Sequence, residues 1–382
     1  MINKERLTKT FMDLVKIDSV SKEEARVSGM IQEIMADLGA DIVIDNAGEK
    51  VNGDTGNLIA RLKGNTEVPP LILNAHMDTV EPGRGIVPEL NDGVFTSQGD
   101  NILGADEKSA IAIILEALQV IEENNLACGP LEVVFTVCEE IGLMGAKHLD
   151  FKHISAKYGF ALDANDTRGV VTRAPSANRL EFAVHGKEAH AGAAPEKGIN
   201  AIQIASRAIA DLKLGRIDEE TTCNIGVIQG GLATNIIPNL VKIKGEVRSH
   251  NAQKLETVTQ TIVSAFEKAA ADNAKANNGV ELPSVDSLVK HDFTRTHIAE
   301  DHPVVTLAVN AARNLGREMV CKTTGGGADA NVFFQQGIVT GVLGTGMQDM
   351  HTINESVRLD DMVEAVELLL EILKLHANGA VS

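Results

Sequence analysis

Leu71-Ile-Leu-Asn-Ala-His76-Met-Asp78-Thr79 is the stretch around which the chain is organised. An apolar run of strand length ends in a histidine, and a carboxylate follows two residues later. Residues i and i+2 of a strand face the same way, so Asp78 is expected to reach the imidazole of His76. A carboxylate that accepts from one ring nitrogen fixes the tautomer and leaves the other nitrogen for a metal. Alone, the pair reads more readily as a strand running into a polar turn. Its meaning depends on what the rest of the chain brings beside it.

On either side of this strand the pattern alternates. Residues 2–17 carry Leu7, Phe11, Leu14 and Val15 at helical spacing. Ser21-Lys-Glu-Glu24 has the form of a capping box and opens a second helix that Gly39 ends. Strands are expected at 40–45, 57–63 and 70–76, a Gly- and Pro-punctuated connection at 82–104, and an Ala/Ile/Leu-rich helix from Asp106 to about 122. Residues 131–137 and 158–162 read as buried strands. Strands alternating with helices predict an α/β fold with a largely parallel sheet covered on both faces.

Near residue 174 the texture changes. A half-exposed strand at 179–186 is followed by a helix at 198–213, strands at 222–229 and 240–248, a long helix at 252–277 and a strand at 280–290. That β-α-β-β-α-β order predicts a ferredoxin-like α+β unit. From 303 the alternation resumes, with strands near 319–323 and 338–343 and a final helix at 360–376. The expected organisation is an α/β domain (1–173 and 295–382) interrupted by an α+β domain (174–294).

Composition narrows the functional classes. With 382 residues the chain is long for one hydrophobic core, in keeping with two domains. A formal net charge of -18 argues against nucleic acid and anionic membrane surfaces as partners, and it would concentrate cations. The four cysteines form no C-x-x-C motif, and no apolar run is long enough to span a membrane. The opening Met-Ile-Asn-Lys-Glu-Arg lacks the apolar core of a signal peptide, so a cytoplasmic location is expected.

Chemistry-bearing residues recur at strand ends: His76 and Asp78, Glu139 and Glu140, and Asp163. Ligands of open α/β sheets bind at the carboxyl ends of the strands. Asp106 starts a helix and His351 lies in a loop before the last one. Each has a bland reading: Asp106 as a helix cap, Glu139-Glu140 as a solvated pair, Asp163 as a turn residue, His351 as a surface group. Jointly, two histidines and several carboxylates at one sheet edge favour a metal site. Adjacent carboxylates repel, and a cation relieves that. A set of Asp, Glu and His without Cys suits zinc, cobalt or manganese. No G-x-S-x-G, H-E-x-x-H or Walker A motif offers another route. Thr324-Gly-Gly-Gly327 precedes a helix, and its amides could cradle an anion.

Taken in order, His76-Met-Asp78, Gly104-Ala-Asp106-Glu-Lys-Ser, Glu139-Glu140-Ile-Gly142, Leu162-Asp163 and Met350-His351-Thr with Glu355 resemble the co-catalytic zinc exopeptidases of the M20 family. His185-Gly…His190-Ala-Gly192, Thr234-Asn235-Ile-Ile-Pro238 and Glu246-Val-Arg248 match as well. The resemblance spans essentially the whole chain and is nearest to peptidase T-like aminotripeptidases. It implies two zinc ions: His76 and Asp163 on one, Glu140 and His351 on the other, Asp106 bridging both, and Asp78 orienting His76. It implies that Glu139 takes a proton from the bridging water and hands it to the leaving amine. In the inserted lid domain it implies that His190 reaches the tetrahedral intermediate, that Arg248 pairs with a substrate carboxylate, and that Asn235 and the loop around Gly326 contact substrate backbone. The expected substrate is a short peptide cut at its N-terminal bond, and the family includes homodimers joined through the lid. Deacylases and carboxypeptidases of the family often carry Glu where Asp163 stands, so Asp leans towards free amino termini. A non-catalytic peptide-binding relative would lack a ligand or the base, and all are present here.

Overall fold

Every residue of the strand Leu71–His76 is buried, because the strand runs through the middle of a large sheet. The computed structural model describes residues 1–277 and 280–379. Among them this sheet has nine strands, in the order Asp41–Ile44, Leu58–Leu62, Leu131–Thr136, Leu71–His76, Tyr158–Ala164, Val339–Gly344, Gly169–Ala174 and Thr296–His297, with Val320–Thr323 paired to Gly169–Ala174. The four middle strands, from Leu131–Thr136 to Val339–Gly344, run parallel. Antiparallel pairs flank them.

Alternation along Tyr158–Ala164 shows how both faces are filled. Phe160 and Leu162 join the large core built with the helices Lys4–Val15, Ala105–Asn124, Pro303–Asn314 and Leu359–Ala377. Ala161, between them, joins Ala328, Ala330 and Val342 in a separate cluster on the opposite face. The helix Lys4–Val15 buries Leu7, Phe11, Leu14 and Val15, the residues its periodicity marks. Ala105–Asn124 is buried on nearly every side, and each fully buried Ile or Leu in it contributes about 1.5–3 kcal/mol. Gly159 has no room for a side chain, since a Cβ there would lie 1.9 Å from the carbonyl oxygen of Ile72. Gly159→Ala is therefore expected to destabilise the protein by about 3 kcal/mol, read as a lower urea midpoint at unchanged slope.

The chain divides into two units, Met1–Arg173 with Thr296–Thr324 and Ala328–Ser382, and Ala174–Arg295 with Gly325–Gly327. The second has its own antiparallel sheet, ordered Gly215–Arg216, Thr221–Gly230, Leu240–Ser249, Ser176–His185, Ser284–Phe293. Leu180, Phe182, Val184, Val241 and Ile243 meet Ile204, Ala205, Ile262 and Phe266 from the helices Ala201–Ala210 and Ala252–Ala271. Phe182 stacks on Phe266 with ring centroids 4.2 Å apart.

Three local expectations are corrected. Ser21 and Glu24 do not cap the helix Ala25–Asp37, which has no side-chain cap bond from the residue preceding it; its first amide donates to Asp54 Oδ1 at 3.0 Å. The connection at 82–104 contains a hairpin, Pro88–Asn91 with Val94–Ser97, to which Val357–Arg358 adds a third strand. Its turn residues Asp92 and Gly93 have φ of 50° and 78°, the left-handed pair that an Asp-Gly hairpin turn adopts. The long helix ends at Ala271 rather than 277, at Asp272 and Asn273, whose side chains compete with helical backbone. Residues 278 and 279, which the sequence assigns to the connection after it, lie outside the described residues.

Candidate metal centre

Parallel strands deliver the groups of the site at their carboxyl ends. His76 sits in register with Thr136 and Asn74 with Ala161, so two residues further on His76 and Asp163 come side by side. Glu139 and Glu140 follow the strand Leu131–Thr136 after a short turn.

The ring of His76 is oriented by hydrogen bonding. Its Nδ1 lies 2.9 Å from the main-chain oxygen of Asp78. A carbonyl only accepts, so Nδ1 carries the proton and a neutral ring presents its lone pair at Nε2. That lone pair faces Asp106 Oδ1 at 3.2 Å and Glu107 Oε2 at 3.9 Å. A lone pair opposed to carboxylate oxygens calls for a cation between them, either a proton or a metal ion. The expected role of Asp78 is thereby altered. Its main-chain carbonyl orients the ring, while its carboxylate, 3.5 Å from Nδ1, accepts from the amides of Glu139 at 2.9 Å and Glu140 at 3.2 Å.

Asp106 stands between two imidazoles, one to each oxygen. Oδ1 faces His76, and Oδ2 lies 3.2 Å from His351 Nε2, which is also 3.0 Å from Glu140 Oε1. Ligand atoms of His76, Asp106 and Glu140 all lie within 4.8 Å of one another, and so do those of His76, Glu107 and Asp163. Asp106 does not cap its helix. Asp106 and Glu107 both have non-helical dihedrals, and the amides of Leu103, Gly104 and Asp106 donate instead to the buried carboxylate of Glu355 at 2.8, 2.7 and 2.9 Å. Glu355→Ala is expected to weaken metal binding about 10- to 100-fold, measured by competition with a chelating dye; unchanged affinity would leave Glu355 only a local cap.

The electrostatics favour a bound cation. Burial pushes Glu139, Asp163 and Glu107 well above the ordinary carboxyl range, and it raises Asp329 to about 6. For Asp106 burial acts the same way, but hydrogen bonds from His351 and His76 outweigh it and hold the group below its ordinary value. Asp106 and Glu140 raise His351 to about 10. Crowded carboxyls that are forced towards their neutral forms are relieved by divalent charge. The donor atoms are nitrogen and oxygen only, and they fit zinc, cobalt or manganese.

Two further carboxylates of the site escaped the sequence reading. Glu107 Oε2 accepts from His76 N at 2.7 Å, and its buried Oε1 has no partner. In a regular helix it would point about 100° away from Asp106; the irregular first turn brings both inward. Asp329 opens the helix Asp329–Gln335. It is buried, accepts from the Thr136 hydroxyl and from Asn74 Nδ2 at 3.4 Å, and leaves Oδ1 unpartnered.

In the second unit, His190 Nδ1 accepts from the amides of Gly192 at 3.1 Å and Ala193 at 3.0 Å. A neutral ring therefore carries its proton on Nε2. Asn235 lies on the neighbouring loop, whose oxygen accepts from Ala191 N at 2.9 Å. Arg248 reaches Glu246 at 3.0 Å and the main-chain oxygen of Gly325, beside Gly326, at 3.3 Å.

Comparison with known proteins shows what the chain as a whole resembles. The model of peptidase family M20/M25/M40 matches residues 72–375. The chain is 40% identical over 376 residues to the uncharacterised protein YqjE of Bacillus subtilis, covering 98% of this chain and 99% of that one. An aminopeptidase PepT structure from Bacillus cereus superposes with a TM-score of 0.85 at 39% identity, over 98% of this chain and 99% of the other. A tripeptidase from Staphylococcus aureus does so with a TM-score of 0.90 at 36% identity, over 99% and 100%.

Proposed function

Because the chain belongs to peptidase family M20/M25/M40 and is a metallo-exopeptidase of the aminopeptidase kind, we propose that it releases the N-terminal residue of short peptides, tripeptides among them, with two zinc ions. The observation that carries this reading is Asp106 with one oxygen towards each of two imidazoles. His76, Asp106 and Asp163 would hold one ion and Asp106, Glu140 and His351 the other. Bound there, such ions polarise the scissile carbonyl and acidify water.

The protein's own groups supply the rest. Glu139, buried and held above the ordinary carboxyl range, takes the proton of the attacking water and passes it to the leaving amine. Asp78 keeps His76 oriented through its carbonyl. His190 donates from Nε2–H to the substrate carbonyl oxygen, Arg248 pairs with the substrate carboxylate, and Asn235 and Gly326 bind substrate backbone. Among the described residues no helix is long and apolar enough to cross a membrane. The outer edge of Thr221–Gly230 has no strand partner beyond Cys223 among the described residues, and Val227, Ile228 and Leu232 are exposed nearby. These features support a homodimer through the second unit, which sedimentation velocity checks.

The test of function is metal analysis with a substrate panel. Two equivalents of metal and turnover of tripeptides with a free amino terminus are expected. Faster cleavage of N-acyl amino acids would replace this reading by a deacylase or carboxypeptidase.

A further inference from the structure

The turn that carries Glu139 and Glu140 is irregular, and Cys138 holds a φ of 54°. A non-glycine residue seldom keeps that conformation unless its surroundings impose it. Here three successive amides each meet a buried carboxylate. Cys138 N donates to Glu24 Oε1 at 3.0 Å, Glu139 N to Asp78 Oδ1 at 2.9 Å and Glu140 N to Asp78 Oδ2 at 3.2 Å. Ser21 Oγ donates to Asp78 Oδ2 at 2.6 Å, and Glu24 Oε1 accepts also from Lys22 N at 3.0 Å.

The loop that bears Ser21 and Glu24 is itself fixed to the end of the central strand. Ser19 Oγ donates to the oxygen of Met77 at 2.9 Å, and Thr79 N to the oxygen of Ser19 at 3.0 Å. Glu24 is fully buried, yet it does not cap the helix it precedes. A buried carboxylate is costly unless its hydrogen bonds serve something. What Glu24 serves lies 114 residues away, at the residue before Glu139.

We propose that Glu24 is a positioning residue for the general base. By holding the Cys138 amide, with Ser21 bracing Asp78 beside it, Glu24 sets the direction in which the Glu139 carboxyl leaves the turn. This rests on Glu139 being the base. Near-attack geometry is demanding, and a displacement of about 1 Å lowers rates by about 10²-fold.

The variants E24A, E24Q and S21A test it by two readouts. The first is kinetic. E24A is expected to lower kcat about 100-fold with KM within about twofold and metal content unchanged. E24Q keeps an acceptor oxygen for the Cys138 amide and is expected to restore kcat to within about fivefold of the parent, which a role in bulk stability would not produce. S21A leaves Glu24 in place and is expected to lower kcat about tenfold, so a failure of E24A to fold still leaves a test.

The second readout needs no substrate. In the metal-free protein, hydrogen exchange of peptides covering residues 137–142 is expected to rise at least about tenfold in E24A, while Leu131–Thr136 stays protected. Unchanged exchange in that turn, parental kcat in both E24A and S21A, or E24Q as slow as E24A would each overturn the proposal. Failure of the parent protein to cleave peptides would instead refute the aminopeptidase reading, and the exchange result would still stand.

Discussion

Glu139→Gln is expected to lower kcat about 10³-fold, with both metals retained and KM little changed. Three features set that expectation. Glu139 is only 8% exposed, so bulk water is a poor substitute for it. Its amide is tied to Asp78 Oδ1 at 2.9 Å, so the isosteric replacement keeps its place in the turn. Burial, opposed by His76 and reinforced by Asp163 and Asp329, lifts its carboxyl well above the ordinary range, the direction that suits a group which must both take and return a proton. Gln cannot do either. The companion Glu140→Gln removes an oxygen that lies 3.0 Å from His351 Nε2, and it is expected to fail differently, by losing metal. Measuring kcat and metal content on both variants separates base from ligand. Residual activity within about tenfold of the parent would remove Glu139 from the role of base.

The sequence showed most of the site because a parallel sheet converts spacing into proximity. His76 and Asp163 lie at the ends of buried apolar strands and Glu139 and Glu140 just past one, and such strands place their ends along one edge. Side-chain direction after a strand ends is a different matter. The alternation rule places the Asp78 carboxylate beside His76, and its Oδ1 does lie 3.5 Å from Nδ1, but the main-chain oxygen of Asp78 comes closer, at 2.9 Å, and takes the hydrogen bond. Ser21 and Glu24 matched a capping pattern whose spacing is local, whereas their real partners are Asp78 and Cys138. Nothing in a local pattern encodes a partner so distant in sequence. Glu107 was hidden by an assumption of regular helix where the first turn is not helical. The hairpin at Asp92-Gly93 carries an explicit turn signal, but the prolines and glycines around it give its two short strands the composition of a loop.

Chelation is expected to abolish turnover and lower the melting temperature, and zinc is expected to restore both. Without an ion, Glu107, Glu139, Glu140 and Asp163 share one region with His76 and His351, and burial holds all four carboxyls above their ordinary values. An ion bound only by the folded protein stabilises it by about 2.7 kcal/mol per site at a free concentration about 100-fold above Kd. The pH dependence of that gain has a definite sign. A carboxyl whose folded value is raised contributes stability that is complete below its unfolded value, about 4, and is lost as pH rises through the folded value. The metal-free protein therefore weakens as pH rises through the raised values. Metal ligands must be deprotonated, so the loaded protein gains over the same interval. The difference between the two melting temperatures is expected to widen as pH rises from the unfolded carboxyl value, about 4, to the upper end of the range in which the protein stays folded. Equal melting temperatures with and without chelator at the upper end would mean that the carboxylates around Asp106 reach their balance by protons alone, and the two-ion reading of His76 and His351 would fall with them.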